Sequence, residues 1–165
     1  MKKIILFCVS VFMLAVCGKV SAQEYLLNNT NHNKTKNTCS GYLYDNSKNG
    51  NYEANQDRWI TICPPASTGN TGRISLTFEE FNLGAGDVMQ IYLGTRITDS
   101  PYMLNNSSTF QAGDLAGTVV MPPLSATSGC LTVRFTSDAT DEASGFKAKI
   151  ECASMCQYPE AALHN

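Results

Sequence analysis

From residue 40 to residue 152 apolar and polar side chains alternate in short runs, with turn-forming clusters between them. Leu131, Val133 and Phe135 alternate with Thr132, Arg134 and Thr136, and Phe146, Ala148 and Ile150 with Lys147, Lys149 and Glu151. A period of two sends successive side chains to opposite faces of an extended strand, so each run predicts a strand with one buried face. Ile74, Leu76 and Phe78 repeat the pattern, and residues 41–44, 59–63, 88–93 and 117–121 read as further strands. Between them lie the turn-forming run 45–51, Pro64-Pro65, Gly84-Ala85-Gly86-Asp87 and Pro122-Pro123, residues that set turn dihedrals or cannot donate to a sheet ladder. No window carries a helical period. The pattern predicts an all-β, antiparallel β-sandwich.

The last two runs frame a loop over 137–145 that holds Asp138, Asp141 and Glu142 but almost no apolar bulk, so it faces solvent. If those two strands pair about it as a hairpin, Cys130 falls opposite Cys152. Upstream, Lys2 and Lys3 precede an apolar run over 4–16 that is too short to span a bilayer comfortably. Val20-Ser21-Ala22 then supplies the small residues a signal peptidase needs. Residues 1–22 are therefore read as a signal peptide, with an uncleaved anchor and a lipoprotein signal at Cys17 as rival readings. Val16, where a small residue belongs, weakens the latter.

Export implies an oxidising compartment, in which Cys39, Cys63, Cys130, Cys152 and Cys156 form disulfides. The expected pairing is Cys39–Cys63 and Cys130–Cys152, which leaves Cys156 free or paired outside this chain. Zinc is disfavoured, because His32 and His164 lie at no ligand spacing from a cysteine pair. Removing residues 1–22 leaves 143 residues, enough for one domain with a real core. They carry 9 basic against 14 acidic side chains, a balance of −5 that points to neither nucleic acid nor an anionic membrane as partner, and no membrane insertion of the mature chain is expected. Residues 23–38 are polar and asparagine-rich and read as a disordered leader; residues 153–165 read as a tail or the start of a linker.

In order along the chain come Cys39-Ser40-Gly41, Trp59-Ile60-Thr61-Ile62, Ile74-Ser75-Leu76-Thr77-Phe78 with Phe81-Asn82-Leu83, and Asp87-Val88-Met89-Gln90-Ile91-Tyr92-Leu93-Gly94. Leu131–Phe135, Ser137-Asp138 and Gly145-Phe146-Lys147-Ala148 follow. The succession resembles a CUB domain over residues 39–152, and looks closest to the bacterial version found in large secreted or surface proteins. The resemblance implies a jelly-roll β-sandwich acting as a non-catalytic binding or adhesion module for an extracellular protein or glycan. The alternative is an accessory targeting domain of a secreted hydrolase whose catalytic part lies outside this chain.

The resemblance also implies a calcium site at one end of the sandwich. Asp87 and Asp138 match its carboxylates and Thr140 stands at a serine position, while Gly84 stands where the family has a glutamate. Asp45, Glu80 or Asp141 are the candidate substitutes for that missing acid. Calcium takes six to eight oxygens, so acids from separate loops must converge. The competing reading is that Asp87 and Asp138 hydrogen-bond local backbone in turns. Tyr42, Tyr44, Tyr52 and Tyr102, in or near loops, are the candidates for contact with a partner, whereas Trp59, Phe78, Phe81, Tyr92, Phe135 and Phe146 are read mostly as core. Catalysis is disfavoured, because His32 lies in the leader and His164 in the tail, away from any nucleophile on the scaffold.

Overall fold

The two-residue alternation becomes nine strands among the residues that the computed structural model describes, 22–66 and 72–153. They are β1 Glu24–Leu26, β2 Lys34–Asn37, β3 Ser40–Tyr44, β4 Asp57–Cys63, β5 Arg73–Asn82, β6 Val88–Tyr92, β7 Val119–Val120, β8 Leu131–Thr136 and β9 Gly145–Ala153. One sheet has the order β1-β3-β9-β5-β7 and the other β2-β4-β8-β6. Leu43, Ile74, Leu76, Phe78, Ala148 and Ile150 line the inner face of the first, and Ile60, Ile62, Met89, Ile91, Leu131, Val133 and Phe135 that of the second. Removing each larger side chain of this set from water stabilises the sandwich by about 1.5–3 kcal/mol, the term that holds the sheets together. Among the described residues no helix is long and apolar enough to cross a membrane.

β8 and β9 are not a hairpin. β8 pairs with β4 and β6, whereas β9 lies between β3 and β5, so the loop joining them crosses from one sheet to the other. This overturns the expected disulfides. The register Ile62↔Leu131 places Cys63 beside Cys130, and Ser40↔Glu151 places Cys39 beside Cys152. The bonds formed are Cys39–Cys152 and Cys63–Cys130, not Cys39–Cys63 and Cys130–Cys152. Each therefore ties two neighbouring strands of one sheet, with Cα atoms 4.8 and 4.3 Å apart.

The polar leader is also more than a loose segment. β1 adds in parallel to β3 at the edge of one sheet, and β2 in parallel to β4 at the edge of the other. Tyr25 and Leu27 are buried in the core, so the segment straps both sheets along one side. Trp59 turns outward rather than into the core: its indole N–H donates to Asn33 Oδ1 at 3.1 Å and its ring meets His32 edge-on at 4.2 Å. The expected signal peptide, apart from Ala22, and the tail after Ala153 with Cys156 and His164 lie outside the described residues.

Candidate functional site

Three connections close one end of the sandwich: residues 45–56 between β3 and β4, residues 83–87 between β5 and β6, and residues 137–144 between β8 and β9. Asp87 is the buried hub where they meet, with none of its surface exposed. Its Oδ1 accepts the Asp138 N–H at 2.8 Å, and its Oδ2 accepts the hydroxyl of Tyr52. The Tyr52 oxygen in turn accepts the Gly84 N–H at 2.6 Å, and the Tyr52 N–H donates to the Ala143 carbonyl at 3.1 Å. Tyr52 thus joins all three connections, by its phenol to residues 83–87 and by its backbone to residues 137–144, while its ring packs edge-on against Phe135 at 4.9 Å. Burial, and next the hydrogen bond to Asp87, push the Tyr52 hydroxyl up to about 12, so the phenol stays neutral and donates.

The 137–144 loop is fastened from both sides. The Asn55 N–H donates to the Asp138 carbonyl at 2.6 Å, Asn51 Nδ2 to the Glu142 carbonyl at 2.7 Å, and Asn82 Nδ2 to Ser144 Oγ at 3.0 Å. The Asp138 carboxylate accepts the Thr140 N–H at 2.9 Å. What this loop turns outward is acidic: Asp138 and Asp141 are exposed and Glu142 is half-buried. The described ion pairs, Lys48–Glu24, Arg134–Asp57, Lys147–Glu79 and Lys149–Glu151, involve none of the three.

Of the expected calcium ligands, the fold brings Asp87, Asp138 and Thr140 to one place but not Asp45. The Asp45 carboxylate is buried and committed to the N–H groups of Ser47, Lys48 and Phe146, at 2.7, 3.1 and 3.1 Å. The Asp141 carboxylate comes near the Asp87–Asp138 pair only through the Thr140 hydroxyl, which lies 3.5 Å from Asp141 Oδ2 and 3.4 Å from Asp138 Oδ1. A Cβ at Gly84 would run into the Asp141 carbonyl oxygen, so the place of the family's glutamate is filled by backbone. Gly86, at φ +89°, leaves the room in which the Asp138 carboxylate lies. Calcium takes six to eight oxygens, and both Asp87 oxygens already accept protein donors, which leaves the Asp138 and Asp141 carboxylates and the Thr140 hydroxyl as the remaining oxygens nearby. Among the described residues no three Asp, Glu, His or Cys side chains converge at metal-binding distance. As they stand, these donors are not gathered into a metal-binding cluster among the described residues.

The tyrosine candidates divide: two are buried and Tyr102 keeps part of its surface exposed. Tyr52 is 2% exposed and Tyr44 9%, so neither offers a ring to a partner. Tyr102 packs partly buried against the core near Phe110. Sequence reasoning missed the Tyr52–Asp87 link and the fastening by Asn51, Asn55 and Asn82, because asparagine in a polar run reads simply as turn chemistry.

The family model for the CUB domain matches residues 31–150. Cubilin of Canis lupus familiaris and cubilin of Homo sapiens are each 32% identical to the chain over 129 residues, covering 71% of it and 3% of cubilin. The chain thus spans a small fraction of the length of these relatives. Among solved structures, the full extracellular region of zebrafish Gpr126/Adgrg6 gives a TM-score of 0.57 at 17% identity, covering 73% of this chain and 14% of that one. The CUB1-EGF-CUB2 domains of rat MASP-1 give 0.54 at 20% identity, covering 77% and 45%. With two-thirds or more of its length matched by family model and relatives alike, the chain belongs to the CUB domain family.

Proposed function

We propose that the chain is a secreted or cell-surface binding module without catalytic activity, and that it engages basic side chains of a protein partner through the loop over 137–144. The fastened, unpaired acids of that loop carry the reading. Asp138, Asp141 and Glu142 project from backbone held by Asp87, Asn51 and Asn55, so little conformational entropy is lost when a partner docks. A lysine or arginine there meets carboxylates that no described ion pair neutralises. Two disulfides and extracellular relatives support an exported location. His32, the one described histidine, is half-buried and its Nδ1 accepts the Trp59 N–H at 3.3 Å, which removes it as a general base on the scaffold.

The test is calorimetric titration with the tripeptide acetyl-Gly-Lys-Gly-amide, with acetyl-Gly-Glu-Gly-amide as counter-probe. Binding of the lysine peptide alone, lost in the triple variant Asp138→Asn, Asp141→Asn, Glu142→Gln, is the expected result. Equal binding by wild type and triple variant would refute the assignment.

A further inference from the structure

We infer that a cavity between the turn after β1 and the β3–β4 connection is a binding site for a single neutral sugar residue. The cavity has a volume of about 200 Å³, opens to solvent, and is lined in part by Asn28, Thr30, Asn46, Glu53, Gln56 and Arg58. Its polar groups are anchored at one atom and uncommitted at another. Asn28 Oδ1 accepts the N–H groups of Thr30 and Asn31 at 3.1 and 3.2 Å, and Asn46 Oδ1 accepts the Glu53 N–H at 3.2 Å. No hydrogen bond among the described residues takes the Nδ2 group of either amide. Arg58 Nε donates to Gln56 Oε1 at 2.7 Å, and Gln56 Nε2 to the Ala54 carbonyl at 2.9 Å. That chain fixes the guanidinium plane and leaves its two amino groups uncommitted. The Glu53 carboxylate enters no ion pair among the described residues.

The walls therefore offer two amide donors, a guanidinium fork and one carboxylate acceptor. One positive and one negative side chain face the same space, so an anion drawn to Arg58 is repelled by Glu53, and a cation the reverse. A hydroxyl group both accepts and donates, and neighbouring hydroxyls of a pyranose can accept from Arg58 and Asn46 while donating to Glu53. Because the side chains are pre-anchored, little rotamer freedom is lost on binding. The cavity has room for one ring, lacks an aromatic wall and stands open, so the affinity is millimolar, about 4 kcal/mol of binding. The cavity shares no lining residue with the acidic loop, although Glu53 and Gln56 hydrogen-bond Ser137 at its start, and the inference stands whether or not that loop binds basic peptides.

The experiment uses the exported chain with both disulfides formed, labelled with ¹⁵N and titrated with the methyl glycosides of glucose, galactose, mannose and N-acetylglucosamine to about 50 mM, well above a millimolar Kd. At least one glycoside is expected to shift the Asn46 amide and Arg58 guanidinium signals saturably. Glu53→Gln and Arg58→Met should each weaken that binding roughly tenfold, as loss of one charge-assisted hydrogen bond does. Lys149→Ala, on β9 and outside the cavity lining, should leave it unchanged. Glu53 is exposed and Arg58 half-buried, and retained wild-type dispersion verifies that the variants fold. The inference is overturned if none of the four glycosides gives saturable shifts, if the shifts survive both cavity substitutions, or if acetate or glycine shifts the same signals more tightly than any glycoside. Failure here and failure at the acidic loop are distinguishable, since the tripeptides are read at residues 138–142 and the glycosides at Asn46 and Arg58.

Discussion

Replacing Tyr52 with phenylalanine removes one oxygen and keeps the ring that packs on Phe135. The lost hydroxyl donates to the fully buried Asp87 and accepts the Gly84 N–H, so the variant leaves both short of a partner. A hydrogen bond to a charged group contributes about 1.5–3 kcal/mol, and a stranded N–H costs about 1–3 kcal/mol, so a loss of about 3 kcal/mol is expected. The titration of Tyr52 sets the pH range of the effect rather than its size: burial first, and next the bond to Asp87, raise its hydroxyl from 10.0 to about 12. The sign follows from the raised value. The contribution is whole below pH 10 and is lost as pH climbs through the folded-state pKa of about 12. The assay is urea unfolding followed by the fluorescence of Trp59, the chain's one tryptophan, for wild type and Tyr52→Phe at pH 7 and at steps between pH 10 and 12. The variant should be less stable by about 3 kcal/mol at pH 7, with the gap closing across the alkaline steps. A gap under about 1 kcal/mol at pH 7, or one that stays constant through the alkaline range, would refute the reasoning.

Three further outcomes are expected. Peptide mapping without reduction should recover Cys39 linked to Cys152 and Cys63 linked to Cys130; replacing both Cys63 and Cys130 with serine should cost about 4 kcal/mol in denaturant unfolding, given the separation of 67 residues. Tyr25→Ala with Leu27→Ala, which empties the N-terminal strap of its buried side chains, should lower stability by about 3–6 kcal/mol; a loss under 1 kcal/mol would mean the strap is ornamental to the core. Adding calcium to the chelator-treated chain should move the melting temperature by less than about 1 °C, because saturation of a site that binds only the native state raises it by several degrees. A rise of that larger size would show that Asp87 and Asp138 hold the ion without a carboxylate at position 84.

The alternation in β5, β6, β8 and β9 placed those strands within a residue or two, except that β5 runs on to Asn82. Periodicity says which residues face inward but not which sheet they belong to. Leu131 and Phe146 read alike, although they sit on strands of opposite sheets, and that ambiguity produced the wrong cysteine pairs. The strap was hidden for a different reason. Tyr25 and Leu27 are two apolar residues in a run dominated by asparagine, and their burial depends on parallel pairing with β3, a contact distant in sequence. At the site, the aspartates at 87 and 138 were legible through the family pattern. Tyr52 was not, because a tyrosine between Asn51 and Glu53 has the local signature of an exposed turn, and only the ring of Phe135 and the carboxylate of Asp87 draw it inward. The committed amides of Asn28 and Asn46 were equally unreadable, since which atom of an asparagine is already bonded is fixed only when the loops meet.

The most direct test of the central claim is a ¹⁵N spectrum of the chain titrated with acetyl-Gly-Lys-Gly-amide in the presence of chelator. Saturable shifts confined to residues 138–142 and their supports Asn51 and Asn55, unchanged when calcium replaces the chelator, are the predicted result. Shifts absent from that loop, or present only with calcium, would contradict it.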